Sequence, residues 1–319
     1  ATSFLVACFF HFLSGIGNAF CFLSCVVLVS RWFPPNKQGL VIGTVVTMAF
    51  IGGMLAHTPF AYLNELFGWR TALMIDGGIG VFLLLWIAAI VKDQPPGSSM
   101  TPKNQDNLGT ALLTALSNPQ NWLAGLYTSL LNLPIMVLCA LWGATYLQVT
   151  YHLPEMAASS IISLIFVGSI IGCPFIGWLS DLQGKRKPIM IAGALATILI
   201  IAPLFLPLNL SSWSLSVLFF ALGFVTSTQV LAYPLVAESN TAQNTGASTG
   251  IASIIIMGGA GAAQVLFGWL IALHSGSRSQ TYTTADFQFA LWIFPLAAVA
   301  ALIAVLMSRE TFCKRIIEE

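Results

Sequence analysis

Long apolar runs alternate with short polar intervals along the whole chain. A helix needs roughly 20 residues to cross a bilayer. Runs of about that length or longer cover approximately 3–32, 39–64, 70–91, 120–147, 157–179, 188–206, 211–236, 247–273 and 287–307. Strands of a membrane barrel would be about ten residues long with alternating polarity, which is not the pattern here. The pattern therefore predicts an all-α, polytopic membrane bundle with about nine spanning helices.

The longest polar interval lies between the third and fourth runs, at residues 93–118, and it contains prolines, a glycine and several charges. That composition is typical of a linker. The chain is therefore predicted to consist of a partial N-terminal block of three spans at 1–92, a linker at 93–118, and a six-span block with a polar tail at 119–319.

The composition agrees with a membrane protein, since 57% of residues are hydrophobic and 7% are charged. Soluble domains carry about 25% charged residues. The net charge of +1 comes from scattered cations, which gives no indication of nucleic-acid binding. The six cysteines have neither metal-site nor disulfide spacing, and no nucleotide-binding Gly-x-x-x-x-Gly-Lys motif occurs. We expect no cofactor, no metal and no nucleic-acid partner.

Lysine and arginine are unequally divided between the two sides of the predicted membrane. Of the twelve, only Arg70 and Arg278 fall on one side. Loops rich in Lys and Arg face the cytoplasm. The C-terminus is therefore predicted to be cytoplasmic, and nine spans would place the N-terminus outside.

A charged turn separates the fifth and sixth runs. Its sequence places Gly177, Asp181 and Gly184 at fixed spacing, and the cations Lys185, Arg186 and Lys187 follow directly. Glycine allows close helix approach and sharp reversal. The pattern resembles the signature loop of the major facilitator superfamily of secondary transporters; a generic positive-inside turn is the alternative. Asp181, at a helix end, is a gating candidate that could pair with Arg186 or with a neighbouring helix. Glu238 is a second candidate for a gate or turn, facing the loop before Gly246.

An internal repeat accompanies the turn. Gly39-x-x-x-Gly43 recurs as Gly246-x-x-x-Gly250, an offset of 207 residues. Further stretches resemble family motifs: His11 to Gly17 resembles the fourth-helix pattern, Arg31-Trp-Phe-Pro the turn after it, and Gly68-Trp-Arg the start of the sixth helix. The resemblance implies family helices four to twelve of an expected twelve, with three spans preceding Ala1. Either a fragment of a longer product or a truncated protein would fit.

Polar side chains inside predicted spans are the candidates for the substrate and proton pathway, because they are costly in hydrocarbon. His11 could carry a proton. His57 and Gln264 are equivalent under the 207-residue offset, so we expect both to face a central cavity. A purely structural role is the alternative for each. The resemblance implies that further candidates line the same cavity: Asn18, Tyr127, Asn132, Gln229 and Tyr233.

Together these features predict a secondary active transporter, not an enzyme. The substrate would be a small polar metabolite, moved by alternating access across a bacterial inner membrane. Two membrane histidines favour proton-coupled symport, and we expect a monomer whose partners are substrate, protons and lipid. The alternatives are efflux or antiport of a drug-like or organic solute, and a truncated, non-transporting receptor. An integral membrane enzyme would need converging acid and base residues, which the sequence does not offer.

Overall fold

The computed structural model describes residues 3–93, 108–206, 210–276 and 282–315, without the side chains of 53–61, 65 and 108. Helices make up most of this part of the chain, and it contains no strand. The helices are α1 (Phe4–Trp32), α2 (Pro35–Ile90), α3 (Leu108–Ser117), α4 (Pro119–Leu131), α5 (Gly143–Tyr151), α6 (Glu155–Gln183), α7 (Lys187–Ile201), α8 (Ser212–Thr226), α9 (Ala232–Glu238), α10 (Thr245–Ser275), α11 (Thr284–Leu291) and α12 (Ile293–Met307).

The helix α2 is broken at Gly68, whose φ of 76° and ψ of 156° are not helical. A positive φ is accessible to glycine at little cost, so this residue separates two spans. Within the described residues, eight helices are long and apolar enough to cross a membrane, including Leu66–Ile90. The predicted span at 39–64 has a helical backbone but overlaps the undescribed side chains. The all-α membrane bundle is thus confirmed, and the predicted number of spans is roughly consistent with the structure.

Two spans change helix type near their middle. In Pro119–Tyr151, a π-helix at Pro134–Trp142 joins α4 to α5. In Ser212–Glu238, a 3₁₀ helix at Ser227–Leu231 joins α8 to α9, which contains Pro234. Proline lacks the N–H that a regular helix needs, so the hydrogen bonding around it must rearrange. Each irregular segment lies close to one of the candidate amides, Asn132 or Gln229.

The described end of the predicted 93–118 linker is helical, because Leu108–Ser117 forms α3. The adjoining residues 94–107 lie outside the described ranges. The six-span part is the better packed of the two blocks. In the most apolar window of Pro119–Tyr151, 67% of residues are buried, whereas none is buried in that of Leu66–Ile90. In α1 only Val26 and Val29 are buried.

The two blocks meet where α2 packs closely against α6. An ideal Cβ on Gly43 would lie 2.3 Å from the Cys173 carbonyl oxygen, and one on Gly177 would lie 2.2 Å from the Gly39 carbonyl oxygen. No real side chain fits such gaps, so glycine at these positions is what lets the two backbones touch.

The turn between α6 and α7 lies at one end of the bundle, together with the start of α2 and the residues that follow α12. Arg186 donates to the Pro35 carbonyl, and the Lys187 ammonium donates to the Ser308 carbonyl. The N–H of Arg309 donates to Gln120 at the start of α4. We call this end, marked by the cations Lys185, Arg186, Lys187 and Arg309, the basic end.

The repeat offers a direct test of this packing. We expect Gly43→Ala to destabilise the protein by about 1–3 kcal/mol, because the new methyl group overpacks the contact between α2 and α6. The equivalent Gly250 has nothing within 4 Å of an ideal Cβ in the described part of the chain. Gly250→Ala should therefore be neutral or slightly stabilising. Thermal unfolding of both variants in detergent checks this, and equal midpoints would contradict it.

Candidate functional site

The site is built around the tight turn that joins α6 to α7. The helix α6 ends at Gln183, and Gly184 adopts a left-handed conformation with φ 63°. The N–H groups of Gly184 and Lys185 donate to the Asp181 and Ser180 carbonyls, which closes the helix end. Pro188 stands in the first turn of α7, where a missing N–H costs nothing. The reversal leaves Arg186 directed into the bundle.

Arg186 is fully buried and lies between two carboxylates. Its guanidinium is 2.6 Å from Asp181 Oδ1 and 2.7 Å from Glu238 Oε1. It also donates to Ser180 Oγ and to the Pro35 carbonyl. The N–H groups of the planar guanidinium therefore have hydrogen-bond acceptors. Burial alone would lower the pKa of Arg186, but Glu238, Cys313 and Asp181 together more than reverse this, and the pKa is raised. The cation therefore stays charged inside the protein.

Asp181 connects this ion network to the first block. Its Oδ2 accepts from the Leu40 N–H at 2.8 Å, and its Oδ1 accepts from the Gly39 N–H at 3.2 Å. Both N–H groups lie in the second turn of α2, near the helix N-terminus, where an anion is favoured. The pairing anticipated for Asp181 occurs in this structure with both partners at once, Arg186 and a neighbouring helix.

The residues after α12 complete the network. Glu310 accepts from the N–H groups of Arg186 and Lys187 at 2.9 and 2.8 Å, so a carboxylate caps the start of α7. The Thr311 hydroxyl donates to Glu238. The Cys313 thiol is buried and donates to the Ser180 carbonyl. The C-terminal segment, Ser308–Arg315, is therefore part of the site.

A second polar group lies at mid-span and carries no charge. Gln229 donates to Asn132 Oδ1 at 3.3 Å, and both residues are buried, with 4% and 6% exposure. The Thr128 hydroxyl donates to the Gln229 carbonyl. Gln264 of α10 donates to the Met136 carbonyl of the π-helix at 2.8 Å. We call Asn132, Gln229 and Gln264 the amide cluster.

The remaining candidates lie in different surroundings. The Tyr127 hydroxyl donates to the Met190 carbonyl inside the core, and it also bonds with Thr228, which is a packing arrangement. Tyr233 stacks edge-on against Phe22 of α1, with ring centroids 4.7 Å apart. His11 and Asn18 are exposed on α1. The side chain of His57 lies outside the described residues, so its predicted pairing with Gln264 stays a prediction.

Sequence reasoning missed several contributors. Glu310 and Thr311 gave no signal, because their partners are over 70 residues away along the chain. Glu238 is a gating candidate, and the structure adds its hydrogen bonds with Arg186 and Thr311; that it faces the loop before Gly246 stays a prediction. At the opposite end of the bundle, His274 Nδ1 lies 2.7 Å from Asp286 Oδ1, which joins α10 to α11.

Among the described residues, no group of three or more His, Cys, Asp or Glu could hold a metal ion.

Comparison with known proteins places this geometry in a family. The model of the Major Facilitator Superfamily matches residues 1–260 and 145–314, which together cover nearly the whole chain. The chain belongs to the major facilitator superfamily. The resemblance of the Gly177–Lys187 turn to the family's signature loop is thereby explained, and the chain is a multi-pass membrane protein.

Three relatives within the superfamily have different descriptions. The membrane sensor protein UhpC of Salmonella typhimurium is 25% identical over 283 residues, which is 82% of this chain and 62% of that protein. A probable hexose phosphate transport protein of Chlamydia pneumoniae is 21% identical, covering 63% of this chain and 50% of the relative. The sialic acid transporter NanX of Escherichia coli is 22% identical, covering 64% and 49%. The chain thus spans between about half and two thirds of the length of these superfamily members.

The burial of the Cys313 thiol predicts its reactivity in this superfamily member. Burial raises the pKa of Cys313 to about 12, so the reactive thiolate is scarce at neutral pH. With the other five cysteines replaced by alanine, we expect N-ethylmaleimide to modify Cys313 at pH 8 at least about tenfold more slowly than an exposed thiol.

Lys314→Cys in a Cys313→Ala background provides the exposed control, since Lys314 is exposed. Glu310→Gln should speed the labelling of Cys313, because it weakens the cap that holds the segment against α7. Mass spectrometry of the labelled peptide measures both rates. Equal rates for the two thiols would show that the segment is not held as described.

Proposed function

We propose that this superfamily member is a secondary active transporter that moves a small polar metabolite across a bacterial inner membrane by alternating access. The observation that carries the proposal is the network at the basic end, where Arg186 joins Asp181 to Glu238 and Asp181 holds the start of α2. This network connects the two blocks. It therefore serves as the gate that keeps the basic end closed.

The chemistry of the network suits a contact that opens and closes. The buried pairs of Arg186 with Asp181 and Glu238 are costly to separate, because each lone charge would remain in a poorly solvated place. The bonds from Gly39 and Leu40 to Asp181 are different, since both N–H groups keep the helix carbonyls four residues earlier as acceptors when α2 moves away. Opening thus breaks the contact between blocks and leaves the ion triad intact.

The orientation proposed for the gate is cytoplasmic. All but two of the twelve Lys and Arg residues belong to the predicted cytoplasmic side, which includes the basic end and the C-terminus. In this arrangement residues 1–92 and 119–319 are the two parts that rock against each other, and 93–118 connects them. The protein would work as a monomer, because both sides of the gate come from one chain.

Relatives guide the choice of substrate class. The two transport proteins described above carry hexose phosphate and sialic acid by their descriptions. Both are small polar metabolites, and the amide cluster could hydrogen-bond either. We favour proton-coupled symport, and the support for it is His11, whose imidazole can both bind and release a proton.

We expect Asp181→Asn to lower the initial rate of uptake at least about tenfold without loss of membrane insertion. The amide keeps one acceptor but loses the charge that pairs with Arg186 and the second acceptor for the start of α2. Uptake of hexose 6-phosphates and of sialic acid is measured in cells that produce the protein from its native gene. Lys185→Gln is the matched control, because Lys185 is exposed and lies in the same turn.

Normal uptake by inserted Asp181→Asn protein would contradict the gating role. A lack of saturable uptake by the unmodified protein would contradict transport itself. In that case a second candidate function gains weight, that of a membrane sensor, which the similarity to UhpC favours. A sensor would bind the solute at the same amide cluster and change the basic end without moving the solute across the membrane.

A further inference from the structure

The amide cluster has hydrogen-bonding capacity that the protein does not use. Asn132 and Gln229 share one hydrogen bond, from Gln229 Nε2 to Asn132 Oδ1. Asn132 Nδ2 and Gln229 Oε1 have no hydrogen-bond partner within the described part of the chain, and each keeps some exposed surface. The pair therefore offers one free donor group and one free acceptor, on two hydrogen-bonded side chains that carry no charge.

We propose that this amide pair recognises a hydroxyl group of a polyhydroxylated substrate, such as a sugar or sugar acid; the proposal rests on the transport function above and names its substrate class. A hydroxyl can accept from Asn132 Nδ2 and donate to Gln229 Oε1 at the same time. A carboxylate or phosphate oxygen can only accept, and an ammonium group can only donate. Of these groups, the hydroxyl alone uses both free atoms.

The amide pair has one free donor and one free acceptor in either orientation of its two amide groups. If both amide groups were rotated by half a turn, Asn132 Nδ2 would donate to Gln229 Oε1. The free atoms would then be Gln229 Nε2 and Asn132 Oδ1, again one donor and one acceptor. The pattern offered to a ligand is the same in either case.

A zwitterion could in principle divide its charges between the two amides, but the surroundings disfavour it. A buried charge is costly unless it is paired with an opposite one. On the same span as Gln229, the nearest carboxylate is Glu238, about 13 Å further along the helix by its rise per residue, and it already pairs with Arg186. Every other charged side chain described in the six-span block lies in a loop or within three residues of a helix end: Glu155, Asp181, Lys185, Arg186, Lys187, Asp286, Arg309, Glu310, Lys314 and Arg315.

Two further polar groups extend the site. Tyr233 follows Gln229 by four residues, and its hydroxyl has no hydrogen-bond partner among the described residues. The Oε1 of Gln264 likewise has none, since only its Nε2 is used, by the Met136 carbonyl. Uncharged donors and acceptors spaced along neighbouring helices suit a substrate with several hydroxyl groups.

Calorimetric titration of the full chain in lipid nanodiscs tests the proposal. The hydroxylated probes are D-glucose, glucose 6-phosphate and N-acetylneuraminate; the probes without hydroxyl groups are L-alanine and propionate. We expect at least one hydroxylated probe to bind and neither of the others to do so. Asn132→Leu and Gln229→Leu should each weaken that binding about tenfold to hundredfold, because the hydroxyl then loses a partner in a buried place.

Gln148→Leu is the matched control, since Gln148 lies on the same span as Asn132 and is half-buried; it should bind like the unmodified chain. If a leucine variant does not fold, Asn132→Asp keeps the shape, replaces the donor by an acceptor, and should weaken binding as well. Binding of L-alanine or propionate only, binding unaffected by the amide substitutions, or no binding of any probe would each overturn the proposal.

Uptake is measured separately from binding. The transport function and the substrate class can therefore be contradicted independently of each other. Uptake of an unhydroxylated solute would leave the transport function standing and overturn the substrate class. Binding of a hydroxylated probe that depends on Asn132 and Gln229, without any uptake, would support the substrate class and contradict transport.

Discussion

The burial of one arginine is the constraint on which the rest of the basic end depends. A guanidinium without solvent is tolerated only if its charge is matched and its donors are used. Arg186 meets this requirement with partners from three separate parts of the chain: Asp181 at the end of α6, Glu238 at the end of α9, and the Pro35 carbonyl in the first turn of α2. Because those partners converge on one side chain, the ends of the helices that carry them are fixed relative to one another. The capping of α7 by Glu310 and the hydroxyl of Thr311 then bring the C-terminal segment into the same network.

The gate and the amide cluster are linked through the same spans. Ser212–Glu238 carries Gln229 at mid-span and Glu238 at its last residue, so in the proposed mechanism a movement at the ligand would pass along this span to the basic end. Pro119–Tyr151 carries Asn132 at mid-span and Gln120 at its start, where Gln120 accepts from the Arg309 N–H. Both spans change helix type next to their amide, and such irregular segments are places where a helix can bend. In the proposed mechanism, these two continuous spans thus connect the amides that recognise the substrate to the basic end that forms the gate.

Local patterns predicted the fold better than the site. Run length predicted the spans, and the spacing of Gly177, Asp181 and Gly184 predicted the turn. Both signals come from residues that are close together in the sequence. The partners of Arg186 were harder to predict: Glu238 and Pro35 lie 52 and 151 residues away, and only tertiary packing brings them together. The repeat shows the same limit, since Gly43 and Gly250 occupy equivalent positions in the sequence. Gly43 lies against Cys173, whereas an ideal Cβ on Gly250 would have nothing within 4 Å among the described residues. A glycine pattern predicts that close packing is possible, but the position of the partner helix decides whether it happens.

Arg186, held by Glu238, keeps Asp181 in place against α2, although Glu238 and the N–H groups of Gly39 and Leu40 share no direct bond. Hydrogen–deuterium exchange of the peptide containing Gly39 and Leu40, compared between the unmodified protein and Glu238→Gln, tests this most directly. We expect slow exchange of both amides in the unmodified protein and markedly faster exchange in the variant, because a displaced Arg186 releases Asp181 from the second turn of α2. Unchanged protection in a folded Glu238→Gln protein would contradict it.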